Sequence, residues 1–408
     1  MENRKPIIII GAGMAGITTA VEIAEVGHEV ILIEKESYLG GNVIKMNNYF
    51  PKLCPPACGL EINFRRIKNN HRIKYYTNTV VEKVVGEKGD FTASLRTSSQ
   101  FVKDSCTACG KCIDVCPVER PDEFNQNLSN TKAIYLPHDM AFPAKFTIDE
   151  NYCKKEKCNA CVDVCDYNAI DFSIKENVFT INAASIIVAT GWENYDASLI
   201  DNLHYSNFSN VVTNVEFERM LAPGGPGKGK VERISDKKIP KEIAFVQCAG
   251  SRDENHLPYC SAVCCSASLK HALNMQELYP DTIIKIFYID LRVSGRNEDF
   301  LNKVKNNKNI ELIKGKVGAI SEEENGDLIV EAEDILSGKK VKHKAELVVL
   351  ATGIVPTSPE FSLNKNESGF ILNNQLEGIH PIACSKKPMD VSASVKDATA
   401  AALKAIQI

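Results

Sequence analysis

The sequence lacks any hydrophobic run that approaches the ~20 apolar residues a helix needs to cross a lipid bilayer. It also lacks a strong charge. The formal net charge of its 408 residues is −4 at pH 7, which gives no electrostatic case for binding nucleic acid or an anionic membrane surface. Its start shows no secretory pattern, because the short apolar run leads straight into a glycine motif. We therefore expect a cytoplasmic protein without a membrane span of its own.

Cysteine, in contrast, is abundant, with 15 residues in the chain. Eight of them follow the ferredoxin pattern, first as C-x2-C-x2-C-x3-C-P and then in the same order with two more residues in the first gap. Such short gaps let one loop supply three thiolates to a cubane cluster, while the fourth cysteine serves the neighbouring cluster. We predict two [4Fe-4S] clusters, one on Cys106, Cys109, Cys112 and Cys165 and the other on Cys116, Cys153, Cys158 and Cys161.

Structural zinc sites are the competing interpretation of these cysteines. A tetrahedral zinc ion is usually held by two C-x2-C pairs, so a third cysteine at x2 and a fourth at x3 would be superfluous. The spacing therefore favours clusters. Because no signal peptide precedes these cysteines, a reducing cytoplasm also fits them better than a disulfide framework does.

The amino-terminal segment, residues 7–34, has the order strand, glycine turn, helix, strand and acid that dinucleotide-binding folds share. Gly11 permits the tight turn, Gly13 lets the backbone approach a pyrophosphate, and Gly16 lets the helix pack closely on the strand. The helix amino terminus supplies partial positive charge to the phosphates. Glu34 follows 18 residues after Gly16, and we expect it to accept hydrogen bonds from the adenosine ribose.

The segments that follow indicate FAD rather than NAD. A second glycine pair, Gly40-Gly41, comes soon after the acid, and two apolar strands, in 185–191 and 347–353, end in Ala-Thr-Gly. Both features resemble two-dinucleotide-binding flavoproteins. The residues that we expect to bind FAD are Gly11, Gly13, Ala15, Gly16, Glu34, Lys35, Gly40, Gly41, Asn42, Ala189, Thr190, Gly191, Ala351, Thr352, Gly353 and Ser392.

The last segment, residues 388–403, is rich in alanine and predicts a helix capped by Asp390 or Ser392. In flavoproteins of this fold the final helix begins at the isoalloxazine ring, where its amino-terminal dipole favours negative charge on the reduced ring. A purely structural helix is the alternative.

A second βαβ unit is predicted from a strand over 243–247, a helix over 262–278 and a strand over 283–290. Its first turn lacks the glycine fingerprint that a pyridine-nucleotide reductase carries there, so NAD(P)H binding is not expected. Cysteines occupy that turn instead. They could ligate a third cluster, form a redox thiol site, or be buried and inert; they are Cys248, Cys260, Cys264 and Cys265.

A further cysteine pair, Cys54 and Cys58, encloses two prolines and an alanine. In disulfide reductases of this fold a cysteine pair in this part of the chain faces the flavin, where a thiolate can pass two electrons as a dithiol. Ligation of a further cluster and a rigid turn with incidental thiols are the other two interpretations.

These motifs, taken in order, resemble the A subunit of heterodisulfide reductase nearly from end to end. They are the pair at 54–58, the inserted double ferredoxin pattern, and the segments 246–252, 258–265 and 387–392. We expect the chain to lack the additional cysteine-rich domains of the methanogen proteins. In this it is similar to the A subunit of the quinone-interacting membrane-bound oxidoreductase complex of sulfate reducers. One departure is Asp166, which stands where the first pattern has Pro117.

The resemblance implies FAD, iron–sulfur clusters, a haem b membrane subunit, and a related subunit that also holds flavin and iron–sulfur groups. It implies peripheral membrane association through those partners, and electron passage between the quinol pool and a soluble partner such as adenylylsulfate reductase. Two alternatives are a soluble flavin-bifurcating complex of the heterodisulfide reductase type and a disulfide reductase. A scaffold with a vestigial flavin is the non-catalytic alternative.

We therefore predict an oxidoreductase subunit with an α/β, two-dinucleotide-binding, thioredoxin-reductase-like fold and an inserted ferredoxin-like domain. The predicted division is a FAD-binding part over 1–100, the insertion over 101–175, a FAD-domain continuation and connector over 176–238, a second Rossmann-like domain with a degenerate nucleotide site over 239–345, and the carboxyl-terminal FAD part over 346–408.

Overall fold

The computed structural model describes residues 5–50, 53–293 and 295–407, so the outermost ends of the predicted domains lie outside the described residues. The chain divides into two compact units. The first unit comprises Met1–Lys45, Ala57–Trp192 and Pro356–Ile408, and the second comprises Met46–Pro56 and Glu193–Val355. No helix within the described ranges is both long and apolar enough to span a bilayer.

The α-helices are α1 (Met14–Glu25), α2 (Pro56–Asn69), α3 (Lys111–Asp114), α4 (Ala160–Asp163), α5 (Asn214–Leu221), α6 (Cys264–Leu278), α7 (Glu298–Lys305) and α8 (Val391–Ala405). The strands are β1 (Ile7–Ile10), β2 (Val30–Ile33), β3 (Ile73–Tyr76), β4 (Thr79–Glu87), β5 (Asp90–Thr97), β6 (Glu119–Pro121), β7 (Asn130–Lys132), β8 (Ile134–Tyr135), β9 (Thr147–Ile148), β10 (Asn177–Ala183), β11 (Ser185–Val188), β12 (Trp192–Asn194), β13 (Val211–Thr213), β14 (Glu242–Ala249), β15 (Ile283–Tyr288), β16 (Ile310–Glu322), β17 (Leu328–Asp334), β18 (Lys339–Ala345), β19 (Leu347–Thr352), β20 (Ile354–Pro356) and β21 (Ile379–Pro381).

The first unit is built on a parallel sheet with the strand order β21-β11-β1-β2-β3. Its central strand β1 reads Ile-Ile-Ile-Ile and is buried throughout, as expected for a strand covered on both faces. Alternate side chains serve different cores. Ile7 and Ile9 pack with residues of α1, α2 and α8, whereas Ile8 and Ile10 pack with residues of the small sheet β10-β5-β4.

The sequence of residues 72–95 predicts an antiparallel pair of strands with a turn near residues 87–90, and the small sheet β10-β5-β4 differs from this prediction. β4 and β5 form that pair around the expected turn, with Glu87 opposite Asp90. β3, however, joins the parallel sheet, and β10 adds a third strand beside β5.

The inserted segment has its own apolar core within the first unit. Phe101, Ile134, Phe146 and Ile170 are among its buried members, and several predicted cluster cysteines pack against them. The sequence of residues 117–150, rich in Pro, Asn and Asp, predicts an irregular linker. It instead contains the short strand pairs β6–β7 and β8–β9.

The second unit contains the sheet β13-β19-β14-β15-β16-β17-β18, parallel from β13 to β16 and antiparallel beyond. Residues 193–238 and 346–355, which we predicted to belong with the FAD-binding parts, lie in this unit. The reason is strand pairing: β13 pairs with β19, and β19 pairs with the central strand β14.

Candidate redox cofactor sites

The first glycine turn is shaped by close backbone approach. Gly11 has a φ of +102°, and a Cβ there would overlap the carbonyl oxygen of Ala189, while a Cβ on Gly16 would overlap that of Gly11. Gly13 precedes α1 without any side-chain cap. The amino terminus of this helix therefore presents main-chain N–H groups, which suits the phosphates of a dinucleotide.

The second glycine pair crosses the first turn. Gly40 donates its N–H to the carbonyl of Ala12 over 2.8 Å. Gly41 has a φ of +57°, and a Cβ on it would lie 2.8 Å from the Cα of Gly13. Asn42 donates from Nδ2 to the carbonyl oxygen of Trp192 over 2.6 Å. The predicted residues 40–42 thus meet the predicted residues 11–13 in a cradle lined by glycine backbone, which we call the glycine cradle.

Glu34 lies at the end of β2 with its carboxyl group buried. Its Oε2 accepts the N–H of Ala12 over 2.7 Å and its Oε1 the N–H of Glu36 over 2.9 Å. Burial raises the pKa of Glu34 to about 7, against the lowering effect of these two N–H groups. The neighbouring Lys35 is exposed, and Ala15 is buried on α1.

The carboxyl end of β11 joins the same site. Ala189 donates its N–H to Ile10 over 2.8 Å, and the hydroxyl of Thr190 donates to the carbonyl of Thr357 over 2.6 Å. Gly191 has a φ of +77°. The first unit therefore brings the predicted residues 11–42 and 189–191 together.

The last helix, α8, is capped by one of the two predicted residues. Asp390 accepts the N–H of Ala393 over 2.7 Å, whereas Ser392 lies exposed in the first turn. Of the two predicted residues Asp390 is the cap, because its extended backbone places that carboxylate on the free N–H groups.

The first cysteine group, defined as Cys106, Cys109, Cys112 and Cys165, lines one small cavity that is partly open to solvent. Apolar walls from Ile134, Phe146 and other residues enclose the rest of it. Burial, followed by the neighbouring Cys106, raises the pKa of the Cys112 thiol to about 12. The structure thus brings together four cysteines from two sequence motifs. A raised pKa disfavours a free thiolate, but a thiolate bound to iron is stabilised by the metal. An iron–sulfur cluster therefore fits these four cysteines.

The second cysteine group consists of Cys116, Cys153, Cys158 and Cys161. Burial raises the pKa of the Cys161 thiol to about 11, and the other three thiols add to this effect. Cys116 of the first motif is therefore close to the cysteines of the second motif. Among the described residues, no three His, Cys, Asp or Glu side chains converge on a single ion-sized point.

Both groups contain the same local loop geometry. The residue two positions after the first cysteine has a left-handed backbone and donates its N–H to that cysteine's sulfur: Ala108 to Cys106 over 3.5 Å, and Lys155 to Cys153 over 3.3 Å. Sulfur atoms that carry cluster charge are stabilised by such N–H groups.

A third cysteine group, Cys248, Cys260, Cys264 and Cys265, lies at the carboxyl edge of the parallel strands of the second unit. Cys248 is near the end of β14, and the last two open α6. Burial raises the pKa of the Cys264 thiol, and the other three cysteines raise it further. The sulfur of Cys264 lies 3.5 Å from the carbonyl oxygen of Thr352 at the end of β19.

The loop of the third group repeats the geometry found in the first two. Ala262 has a φ of +64° and donates its N–H to the sulfur of Cys260 over 3.4 Å. Sequence reasoning missed this similarity, because the spacing around Cys260 differs from the ferredoxin pattern.

Side chains of the loop after β14 pack against the glycine that follows β19. A Cβ on Gly353 would lie 2.5 Å from the hydroxyl of Ser251 and 2.9 Å from that of Ser261. Ser261 also accepts the N–H of Ile354 over 2.8 Å. Residues 351–353, expected at the FAD, thus lie in the second unit beside the third cysteine group, whereas the glycine cradle belongs to the first unit.

The structure assigns the remaining cysteine pair to different units. Cys54 belongs to Met46–Pro56 of the second unit, and its carbonyl accepts the N–H of Tyr49 over 3.2 Å. Cys58 is exposed near the start of α2 in the first unit.

A buried polar network in the second unit had no sequence signal. Glu218 on α5 accepts from Lys270, from His271, and from the backbone N–H of Asn47 over 2.8 Å. Lys270 also donates to the carbonyl of Asn48 over 2.7 Å. Burial would raise the pKa of Glu218, but Lys270 and His271 hold it well below its usual value. The network ties the segment that carries Cys54 to α5 and α6.

The fold and these sites define a two-dinucleotide-binding flavoprotein with an inserted ferredoxin-like segment. Residues 9–52 match the family described as NAD(P)-binding Rossmann-like domain, and residues 100–119 match the 4Fe-4S binding domain. Thioredoxin reductase of T. acidophilum has the same fold, with a TM-score of 0.55 at 13% identity over 98% of this chain and 97% of that one.

The chain is similar, over nearly its whole length, to the A subunits of heterodisulfide reductases. It is 35% identical to the A subunit of the ferredoxin:CoB-CoM heterodisulfide reductase of Methanosarcina acetivorans over 98% of its own length and 56% of that protein. It is 37% identical to the second iron–sulfur A subunit of the CoB–CoM heterodisulfide reductase of Methanopyrus kandleri over 98% of itself and 63% of that protein. The chain thus spans less than two thirds of these relatives.

Proposed function

We propose that this chain is an electron-transfer subunit of an oxidoreductase complex and carries one FAD and three [4Fe-4S] clusters. The observation that carries the proposal is the presence, in one chain, of three cysteine groups with a shared loop geometry together with a flavoprotein glycine cradle. FAD exchanges electrons in pairs or singly and the clusters exchange them singly, which is the chemistry that such a subunit supplies.

The residues of the first unit hold and orient these groups. The N–H groups at the start of α1 receive the pyrophosphate, and Glu34, fixed by Ala12 and Glu36, accepts from the ribose hydroxyls. Ile134 and Phe146 exclude water from one side of the first cysteine group.

In the second unit, cysteines lie where a pyridine-nucleotide reductase would carry its glycine fingerprint. The carboxyl edge of the unit's parallel strands carries the third cysteine group, and Ser251, Leu257 and Ser261 occupy the space beside Gly353. This arrangement supports electron delivery by protein contact rather than by NAD(P)H.

For the assembly we propose the quinone-interacting type. In it, this chain would act in the cytoplasm, held at the membrane by two partners, a related flavin and iron–sulfur protein and a haem b subunit. It would pass electrons between the quinol pool and a soluble partner such as adenylylsulfate reductase. The support is the order of the motifs between residues 54 and 392, which resembles that of the quinone-interacting family.

The names of the relatives favour a second candidate, a complex of the heterodisulfide reductase type that uses ferredoxin as a redox partner. Affinity purification of the tagged chain from its native host separates the two candidates. Co-purification of a haem b subunit supports the quinone-interacting assembly. A haem-free complex that reduces a heterodisulfide with ferredoxin supports the other.

Cofactor content is tested on protein purified without oxygen. We expect one FAD and about twelve irons per chain, four for each cluster. Cys260→Ser should lose about four irons and keep the flavin. Cys384→Ser is the matched control, because Cys384 is buried but belongs to no cysteine group, and it should keep all the iron. Eight irons in the unmodified chain would contradict a third cluster, and a colourless protein would contradict the whole proposal.

A further inference from the structure

Arg252 lies in the loop that follows β14 and is held there by its backbone. It has a left-handed φ of +58°, and its N–H donates to the carbonyl of Tyr259 over 3.1 Å. Cys248, near the end of β14, also has a left-handed φ, of +57°. The Arg252 side chain lies close to the third cysteine group, because Asp290 contacts both its guanidinium and the sulfur of Cys265.

Asp290 anchors the guanidinium of Arg252. Its Nη2 donates to Oδ2 of Asp290 over 2.9 Å. Its Nη1 is buried and has no hydrogen-bond partner among the residues that the structure describes. A buried N–H without a partner costs free energy when the neighbouring sulfurs are neutral thiols. This cost is offset when the neighbouring sulfur carries negative charge, as it does in a cluster.

The neighbouring sulfur is that of Cys248. Burial raises the pKa of the Cys248 thiol, as does the nearby Cys265, while the charge and hydrogen bonding of Arg252 lower it. Asp290 links this arginine to the rest of the site, because its carbonyl oxygen lies 3.6 Å from the sulfur of Cys265. Burial raises the pKa of Cys265, and Arg292 opposes this effect, although the side chain of Arg292 is exposed.

We propose that Arg252 is a positioning residue that sets the reduction potential of the cluster held by Cys248, Cys260, Cys264 and Cys265. This inference rests on the third cluster of the proposed function. Reduction adds one electron to the cluster and breaks no bond, so the added negative charge stays beside the guanidinium. A fixed positive charge with a buried N–H stabilises the reduced form and raises the potential.

The test is an anaerobic redox titration, followed by electron paramagnetic resonance, of the full chain and three variants. Arg252→Gln removes the charge, and we expect its third-cluster reduction equilibrium to shift at least tenfold toward the oxidised form, which is about 59 mV for one electron. Arg252→Lys keeps the charge and should restore most of the potential. Arg292→Gln removes an exposed charge that solvent screens, and should shift the equilibrium much less.

The outcomes separate this inference from the proposed function. Twelve irons per chain with an unchanged potential in Arg252→Gln would overturn the role of Arg252 alone. An equal shift in Arg292→Gln would overturn it as well, since net charge would then suffice. Loss of the third cluster from both Arg252 variants, with FAD retained, would assign Arg252 to cluster assembly and reject tuning. Eight irons in the unmodified chain would remove the cluster itself.

Discussion

At the scale of single residues, two glycines with the same backbone handedness have different roles. Gly11 and Gly27 both have positive φ angles, of +102° and +96°. A Cβ on Gly11 would overlap the carbonyl of Ala189, whereas a Cβ on Gly27 would meet nothing within 4 Å. The first glycine is therefore needed for close approach and the second only for the turn after α1.

This difference predicts the effect of two alanine substitutions. Gly27→Ala should cost about 1 kcal/mol of unfolding free energy from left-handed strain alone, with FAD retained. Gly11→Ala should cost about 2–4 kcal/mol, because overlap adds to the strain, and it should also lose flavin. Denaturant unfolding and flavin absorbance after gel filtration measure both effects. Equal costs for the two variants would show that the close approach is unimportant.

Glu34 predicts a pH dependence of stability in the flavin-free protein. Its pKa in the folded chain is about 7, against 4.5 for an ordinary glutamate, so the folded state holds its proton more tightly. The contribution of Glu34 is therefore fully present below pH 4.5 and is lost as the pH rises to about 7. Relative to Glu34→Gln, the unmodified chain should lose about 3 kcal/mol across that window. A constant difference between the two proteins from about pH 4.5 to about pH 8 would contradict this.

At the scale of elements, α5, α6 and the segment 46–56 depend on one buried ion pair. Lys270 and Glu218 are both almost fully buried, and Glu218 also holds the N–H of Asn47. Removal of one partner leaves an uncompensated charge in the interior, which costs more than the pair itself contributes.

Lys270→Met should therefore destabilise the protein by about 3–5 kcal/mol, and should increase protease cleavage in segment 46–56, since Lys270 also holds Asn48. Lys316→Met is the matched control, because Lys316 pairs with Asp253 on the surface, and surface pairs contribute little. The double variant Lys270→Met with Glu218→Gln should recover part of the loss. Thermal unfolding and limited proteolysis test this, and equal behaviour of the two lysine variants would contradict it.

At the scale of the whole molecule, the features set by neighbouring residues could be predicted from the sequence, whereas those set by pairing between distant strands could not. The α/β flavoprotein fold and the β1–α1–β2 unit could be predicted, because glycine turns and apolar strands act over a few neighbouring residues. The assignment of residues 193–238 and 346–355 to the second unit could not, because it depends on β13 and β14 pairing with β19. The Glu218–Lys270–His271 network was missed for the same reason. The cluster and flavin ligands stay predictions, although the structure brings most of them together.

Each of the two ferredoxin motifs contributes its fourth cysteine to the other motif's group, and this exchange leads to a testable prediction. Cys165 belongs to the second motif in sequence but lines the cavity of Cys106, Cys109 and Cys112. Cys165→Ser should therefore alter the same paramagnetic resonance signal as Cys106→Ser, and leave unchanged the signal altered by Cys158→Ser. Serine is a poorer ligand for iron, so each affected cluster should be lost or changed while total flavin stays constant. If Cys165→Ser altered the signal that Cys158→Ser alters, each motif would hold its own cluster, and the pairing inferred from the cavity would be wrong.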